Sequence, residues 1–281
     1  MKRTASIILS LLALGAGLAG CAKGPGAGSE NALSGNVKTG GSTSVEKVMT
    51  ALIYQFQLEN QQVAVDYEMN GSGDGIKNTI GGLYEIGHSS RELKTDGSES
   101  GLDATAYAID GIAVVVHKGN AATGLTKDQL SGIYTGKIKN WSEVGGADAL
   151  ITVVTREEGS GTRTAFAEIV GFSESGIAAD ATVQDSTGAV QTTVSQNPNA
   201  IGYLSFSDVD IAKVSAVSYE GVSISADSLK DGTYLLKREF YVLTKSGQEP
   251  SPAAKAFLGF IMSDAGQKIV SEKGLLPIRQ F

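Results

Sequence analysis

Three clusters of glycine and small hydroxyl residues fall between a strand-like run and the start of a helical one. They are Gly40-Gly41-Ser42-Thr43-Ser44, Gly71-Ser72-Gly73-Asp74-Gly75 and Gly159-Ser160-Gly161-Thr162. A helix N-terminus carries N–H groups without intrahelical acceptors and a partial positive charge. Glycine lets that backbone approach a ligand, and hydroxyls add donors, so such a cluster can cradle an oxyanion. Taken singly, each cluster is equally an ordinary helix cap. Arginines stand near two of them: Arg91 in Ser89-Ser90-Arg91, and Arg156 shortly before Ser160. A guanidinium forks onto two oxygens of a tetrahedral anion. The competing role for each is an ion pair, Arg91 with Glu92 and Arg156 with Glu157 or Glu158; Glu158 could also hold the Arg156 side chain in place.

Other chemistries fit less well. Ser44-Val45-Glu46-Lys47 and Lys38-Thr39-Gly40 match the S-x-x-K and K-T-G of penicillin-recognising enzymes, but in reversed order, and the nearest approach to S-D-N is Ser207-Asp208-Val209. Ser131 to Ile138 resembles a P-loop that lacks its first Gly and its final Ser/Thr. No G-x-S-x-G occurs. One Cys and two His leave no material for a thiolate or His-rich metal site, so neither metal nor cofactor is expected. His88 and His117 read as structural, and Trp141 as a packing anchor. A net charge of −7 argues against a nucleic-acid partner, and 41% hydrophobic residues support substantial cores.

The elements that must position these clusters alternate. Strands are expected at 37–40, 63–67, 84–87, 111–116, 151–154, 200–204 and 240–244. Helices are expected at 45–58, 75–80, 126–134, 161–170, 187–195, 252–262 and 265–273. Val45, Val48, Met49, Leu52, Ile53 and Phe56 show the helical spacing plainly. Alternation of this kind implies α/β sheets with helices on both faces, and the length suits two such units. The N-terminal segment is different. Lys2 and Arg3 precede an apolar run from Ala5 to Leu18, too short to span a membrane with ease. It ends on Leu18-Ala19-Gly20-Cys21, which resembles the bacterial lipobox. This implies a signal peptide over residues 1–20, a lipidated (palmitate-bearing) Cys21 and a flexible tether over 21–32.

From Gly35 to Phe281 the chain resembles the phosphate-binding lipoproteins of bacterial ABC importers, the PstS-type family. The resemblance rests on an ordered set of motifs: Gly41-Ser42-Thr43-Ser44-Val45, Gly71-Ser72-Gly73, Ser89-Ser90-Arg91-Glu92-Leu93, Ile109 to Val114, Leu130 to Trp141, Arg156 with Gly159-Ser160-Gly161-Thr162, Ala200-Ile201-Gly202-Tyr203, and Gly266-Gln267. It implies a two-domain periplasmic-binding-protein fold of the type II, Venus-flytrap kind. The first domain would comprise residues 33–108 plus 241–281 and the second 109–240. It implies a monomeric, extracytoplasmic, lipid-anchored receptor that delivers inorganic phosphate to an ABC permease and performs no catalysis. Thr43, Ser44, Ser72, Ser90 and Arg91 would bind phosphate from the first domain, and Arg156, Ser160, Gly161 and Thr162 from the second. Ser42 is a weaker candidate that could simply shape the turn. One departure stands out. Better-known members place a proton-accepting Asp near the position of Ser90, and here Asp74, Glu158 or Asp185 would have to supply the acceptor. The alternatives are a sulfate or molybdate receptor of similar fold, a surface phosphatase or esterase, and an adhesion or scaffold lipoprotein that kept the fold and lost the site.

Overall fold

In the computed structural model, residues 32–278 are described; the expected signal peptide, Cys21 and all but the last residue of the expected tether lie outside them. The chain opens with β1 (Ser34–Gly41), a 3-10 turn at Thr43–Val45, α1 (Glu46–Glu59), β2 (Gln62–Met69), α2 (Ser72–Ile80), β3 (Ile86–Ser89) and the long β4 (Leu102–His117). It continues through β5 (Gly124–Leu125), α3 (Lys127–Tyr134), β6 (Thr152–Arg156), α4 (Gly161–Val170), β7 (Thr182–Gln184), α5 (Thr187–Gln196), β8 (Ala200–Ser205), β9 (Val214–Ala216), β10 (Ser218–Tyr219) and α6 (Ala226–Lys230). Then β11 (Lys237–Lys245) returns along β4, and α7 (Pro252–Ile261), α8 (Asp264–Glu272) and β12 (Leu276–Pro277) follow.

The sheet runs β2-β1-β3-β11-β4-β8-β6-β7, with β9 and β12 also paired to β4. β1 pairs in parallel with β2 and β3, and β6 in parallel with β7 and β8. Antiparallel β11 and β4 lie in the middle. β4 is the element that divides the molecule. Its first part, Leu102 to Gly111, pairs with β11, and its second, Ile112 to Val116, pairs with β8. The apolar interior divides along the same strand. Tyr107 and Ala108 belong to a core with Val37, Leu52, Phe56, Phe257 and Val270, which seals α1, α7 and α8 onto β1 and β11. Ile112, Val114 and Val116 face a second core with Tyr134, Trp141, Phe166 and Tyr203, while Ala113 and Val115 pack on the opposite face against Val190 and Val194 of α5. A strand apolar on both faces is what helices on both sides of a sheet require. The chain from Leu33 onward nevertheless forms one compact unit, so the two halves are packed against each other.

Several borders differ from expectation: β1 starts at Ser34 rather than Val37, β3 spans Ile86–Ser89 rather than 84–87, β11 starts at Lys237 rather than Phe240, and the short β5, β7, β9, β10, β12 and α6 have no counterpart among the expected elements. Two differences bear on the site. β4 starts at Leu102 rather than Gly111, because Asp103, Ala104 and Thr105 face outward and give no apolar run. α2 starts at Ser72 rather than Gly75, because Gly71 (φ 94°) turns the chain directly into the helix.

Where β4 passes between the cores, Asp110 and Arg238 are register partners. Asp110 Oδ2 accepts from Arg238 Nη2 at 3.0 Å and Nε at 3.2 Å, Oδ1 accepts from Ser205 Oγ at 2.8 Å, and both residues are buried. Burial pushes the Asp110 carboxyl up from its ordinary value, and Arg238 opposes that rise. Removing one partner strands a buried charge at a cost of about 3–5 kcal/mol. Asp110→Asn should therefore lower the melting temperature by on the order of 10 °C. The paired replacement Asp110→Leu with Arg238→Met should recover most of that loss; thermal unfolding of the three proteins checks both statements.

Candidate functional site

Four strand ends deliver four helix starts to one place between the halves. β1 ends at Gly41 (φ 136°), where any side chain would collide with the His88 carbonyl, and Ser42 caps the following 3-10 turn by accepting from Ser44 N–H at 3.2 Å. β2 leads through Gly71 into Ser72, the first residue of α2. β6 ends at Arg156, and Gly159 (φ 87°) turns the chain so that Ser160 caps α4 by accepting from Arg163 N–H. β7 ends at Gln184, and Ser186 caps α5, whose first residue is Thr187. Ligands in open α/β folds gather at such carboxyl ends of strands.

The side chains meet across the halves. Ser44 Oγ lies 2.7 Å from Thr162 Oγ1 and 3.1 Å from Thr187 Oγ1. Arg156 donates from Nη2 to Thr43 Oγ1 at 3.0 Å and from Nη1 to Thr187 Oγ1 at 3.4 Å. On the first half, Ser42 Oγ donates to Ser90 Oγ at 2.9 Å, and Ser72 Oγ lies 3.2 Å from Ser90 Oγ and accepts from Ser90 N–H at 3.1 Å. Ser160 and Gly161 complete the ring at the head of α4. All of these residues are buried; Arg156 is 2% exposed. Backbone meets backbone as well, with Gly73 N–H donating to the Gly159 carbonyl at 2.8 Å.

A second layer holds these loops. Tyr67 Oη donates to the Ser42 carbonyl at 2.6 Å. Tyr203 Oη accepts from Arg156 N–H at 3.2 Å and shares a 2.8 Å bond with Thr155 Oγ1; burial pushes its hydroxyl up to about 12, so it stays protonated. His88 is wholly buried. Thr39 Oγ1 donates to the Ile86 carbonyl, so the proton between Thr39 and His88 lies on His88 Nε2, and Nδ1 has no partner. Burial pushes the His88 imidazole down to about 3. Both histidines were expected to be structural, and His88 is neutral beneath the first loop.

Of the nine expected anion ligands, eight converge: Thr43, Ser44, Ser72, Ser90, Arg156, Ser160, Gly161 and Thr162. Arg91 does not. Its guanidinium is held by both carboxylate oxygens of Glu99, at 2.7 and 2.9 Å, and by the Glu92 carbonyl at 2.6 Å. Arg156 is steadied by Glu157, at 2.7 and 2.8 Å, and not by Glu158, which is exposed. Asp74 and Asp185 are exposed as well, so none of the three carboxylates considered as proton acceptor joins the buried cluster. Ser42, the weaker candidate, takes part through its hydroxyl, and Thr187 joins unforeseen; its Ser186-Thr187-Gly188 context repeats the composition of the other three clusters. Among the described residues no group of three metal-ligating side chains occurs, and no helix is long and apolar enough to cross a membrane.

A family model described as a PBP superfamily domain matches residues 26–265. The phosphate-binding protein PstS of Bacillus subtilis is 33% identical over 255 residues, covering 89% of this chain and 83% of its own length. The PstS of Borreliella burgdorferi is 29% identical over 252 residues, covering 86% of this chain and 90% of its own. Among solved structures, a putative phosphate ABC transporter substrate-binding protein with bound phosphate, from Clostridium perfringens, has a TM-score of 0.84 and 42% identity over 87% of this chain and 100% of its own. An ABC-type phosphate transport receptor from Vibrio cholerae has a TM-score of 0.71 and 34% identity over 85% and 99%.

Two expectations follow from the geometry. Below about pH 6.5 the unfolded chain takes up a proton on His88 that the folded protein refuses until about pH 3, so stability is full above 6.5 and declines as pH falls. At pH 5 this loss is about 2 kcal/mol, and His88→Gln should flatten the fall in urea-unfolding free energy between pH 7 and 5. A methyl group at Gly161 would sit 2.4 Å from Ser72 Oγ and 2.7 Å from Ser90 Oγ. Gly161→Ala should hold the halves apart, visible as a larger radius of gyration in solution scattering at unchanged helix content.

Proposed function

The chain belongs to the PBP superfamily and, within it, to the PstS family, and on that footing we propose that it captures inorganic phosphate between its halves and passes it to an ABC permease. The observation that carries this reading is the convergence of hydroxyls from both halves, Thr43 and Thr187, on the buried guanidinium of Arg156. Thr43 and Ser44, Ser72 and Ser90 hold the anion from the first domain, residues 33–108 plus 241–281. Arg156, Ser160, Gly161 and Thr162 close over it from the second, residues 109–240. Arg91 is left out, because Glu99 already neutralises it; it acts as a structural ion pair that shapes the loop after Ser90.

Binding is capture without bond making. The anion reaches one half while the domains are apart, and closure brings the remaining donors onto it. Each hydrogen bond to a charged group contributes roughly 1.5–3 kcal/mol net. Several of them, less the cost of desolvation and ordering, leave the ~8 kcal/mol of a micromolar binder. Helix N-termini and hydroxyls do this locally, so a net charge of −7 on the whole chain is no obstacle. The protein is a receptor rather than an enzyme, in keeping with the substrate-binding relatives. Cys21 carries the lipid that keeps it on the extracytoplasmic face of the cell membrane, where it acts as a monomer.

Titration calorimetry with phosphate, sulfate and molybdate tests the reading. Phosphate should bind at micromolar or tighter affinity, and Arg156→Ala should abolish it. Sulfate binding as tight as phosphate overturns the specificity, and turnover of a chromogenic phosphate ester overturns the assignment as a receptor. Cys21→Ala should release the protein from the membrane fraction.

A further inference from the structure

The second half brings two helix starts to the site, and only one of them, α4, has been given a role. The other is α5, a helix of 10 residues capped by Ser186 and headed by Thr187. We propose that Thr187 is a direct ligand of the bound anion, through its hydroxyl and the first N–H groups of α5; this rests on the phosphate reading above and extends it.

The position of Thr187 supports this. Its side chain is 4% exposed and its hydroxyl touches three members of the site: Ser44 Oγ at 3.1 Å, Thr43 Oγ1 at 3.4 Å and Arg156 Nη1 at 3.4 Å. Its own N–H donates to Thr43 Oγ1 at 3.4 Å, so the mouth of α5 faces the first half. The directions of these bonds matter. Thr43 Oγ1 accepts from both Arg156 Nη2 and Thr187 N–H, which occupies its lone pairs and leaves its proton to be given away. Thr187 Oγ1 accepts from Arg156 Nη1, which leaves its hydroxyl free to donate too. Arg156 thus turns both threonines into donors, the polarity an oxyanion requires. β6 and β7 fix the arrangement, since Arg156 and Gln184 are register partners and Thr187 follows Gln184 by three residues. With α5 included, each half contributes two helix N-termini: the Thr43 turn before α1 and α2 from one, α4 and α5 from the other.

The test uses the full-length protein, Thr187→Val, which keeps the shape and removes the hydroxyl, Thr187→Ser, which restores it, and Thr192→Val as an exposed control on the same helix. Phosphate calorimetry should show about a tenfold loss for Thr187→Val, as expected for one lost hydrogen bond to a charged group, with Thr187→Ser and Thr192→Val within about threefold of the parent. A crystal structure with phosphate should place Thr187 Oγ1 within about 3.2 Å of a phosphate oxygen. Unchanged affinity in Thr187→Val, an equal loss in Thr187→Ser, or a hydroxyl that stays on Ser44 about 4 Å or more from every phosphate oxygen overturns the proposal. If the parent protein binds phosphate and Thr187→Val binds it equally, Thr187 alone loses its role. If the parent takes up no tetrahedral anion, the phosphate reading and this one fall together.

Discussion

A guanidinium cannot be removed from water without partners, and Arg156 is almost entirely removed. Glu157 answers part of its charge from the same loop, and the rest is answered by Thr43 from the other half and Thr187 from the neighbouring helix. The need to satisfy one buried cation therefore ties the two halves together. Much of the surrounding structure follows from it. Tyr203 anchors the backbone of Arg156, the parallel pairing of β6 with β7 brings α5 beside it, and the capped α4 lays Ser160 to Thr162 along the same wall. On the reading proposed above, an anion that reaches Arg156 also meets Thr43 and Thr187, to which Arg156 already donates.

The first half is organised by different means. Its loops carry no free arginine at the site, because Arg91 is consumed by Glu99. Instead Ser42, Ser72 and Ser90 form a hydroxyl chain beneath which His88 and Tyr67 fill the space with uncharged groups. Burial alone holds the His88 imidazole neutral there, so the layer beneath the hydroxyl chain carries no charge that needs a partner. The two walls are joined through β4 and β11, and Asp110 with Arg238 fixes their register where they cross between the cores.

Much of this was legible in the residues. The three Gly/Ser/Thr clusters, the helices they open (α2 three residues earlier than the pattern puts it) and the apolar run of β4 are all there, because glycine-led helix starts and buried strands leave strong local signals. The first part of β4 left none, as its outward residues Asp103, Ala104 and Thr105 include no large apolar side chain. The partner of Arg91 was hidden because Glu99 reaches it across a turn that has no periodicity, and the nearer Glu92 offers its carbonyl instead of its carboxylate. Glu157 and Glu158 differ only in which way the chain turns before Gly159. Ser186-Thr187-Gly188 has the right composition, but β7 before it is three residues long and Thr182, Val183 and Gln184 do not announce a strand. No arginine stands beside it in sequence, although one stands beside it in space.

The contact between Gly73 and Gly159 acts on a different scale. An amide of one half rests on a carbonyl of the other, and a side chain at Gly73 would come within 3.1 Å of the Gly159 backbone. Main chain on main chain is a mechanical stop, like the closed jaws of a caliper. At this point the approach of the halves is limited by the main chain itself, and any side chain at Gly73 would move that stop outward. Two residues without side chains thus do what no pair of larger residues could do there: they let backbone rest directly on backbone.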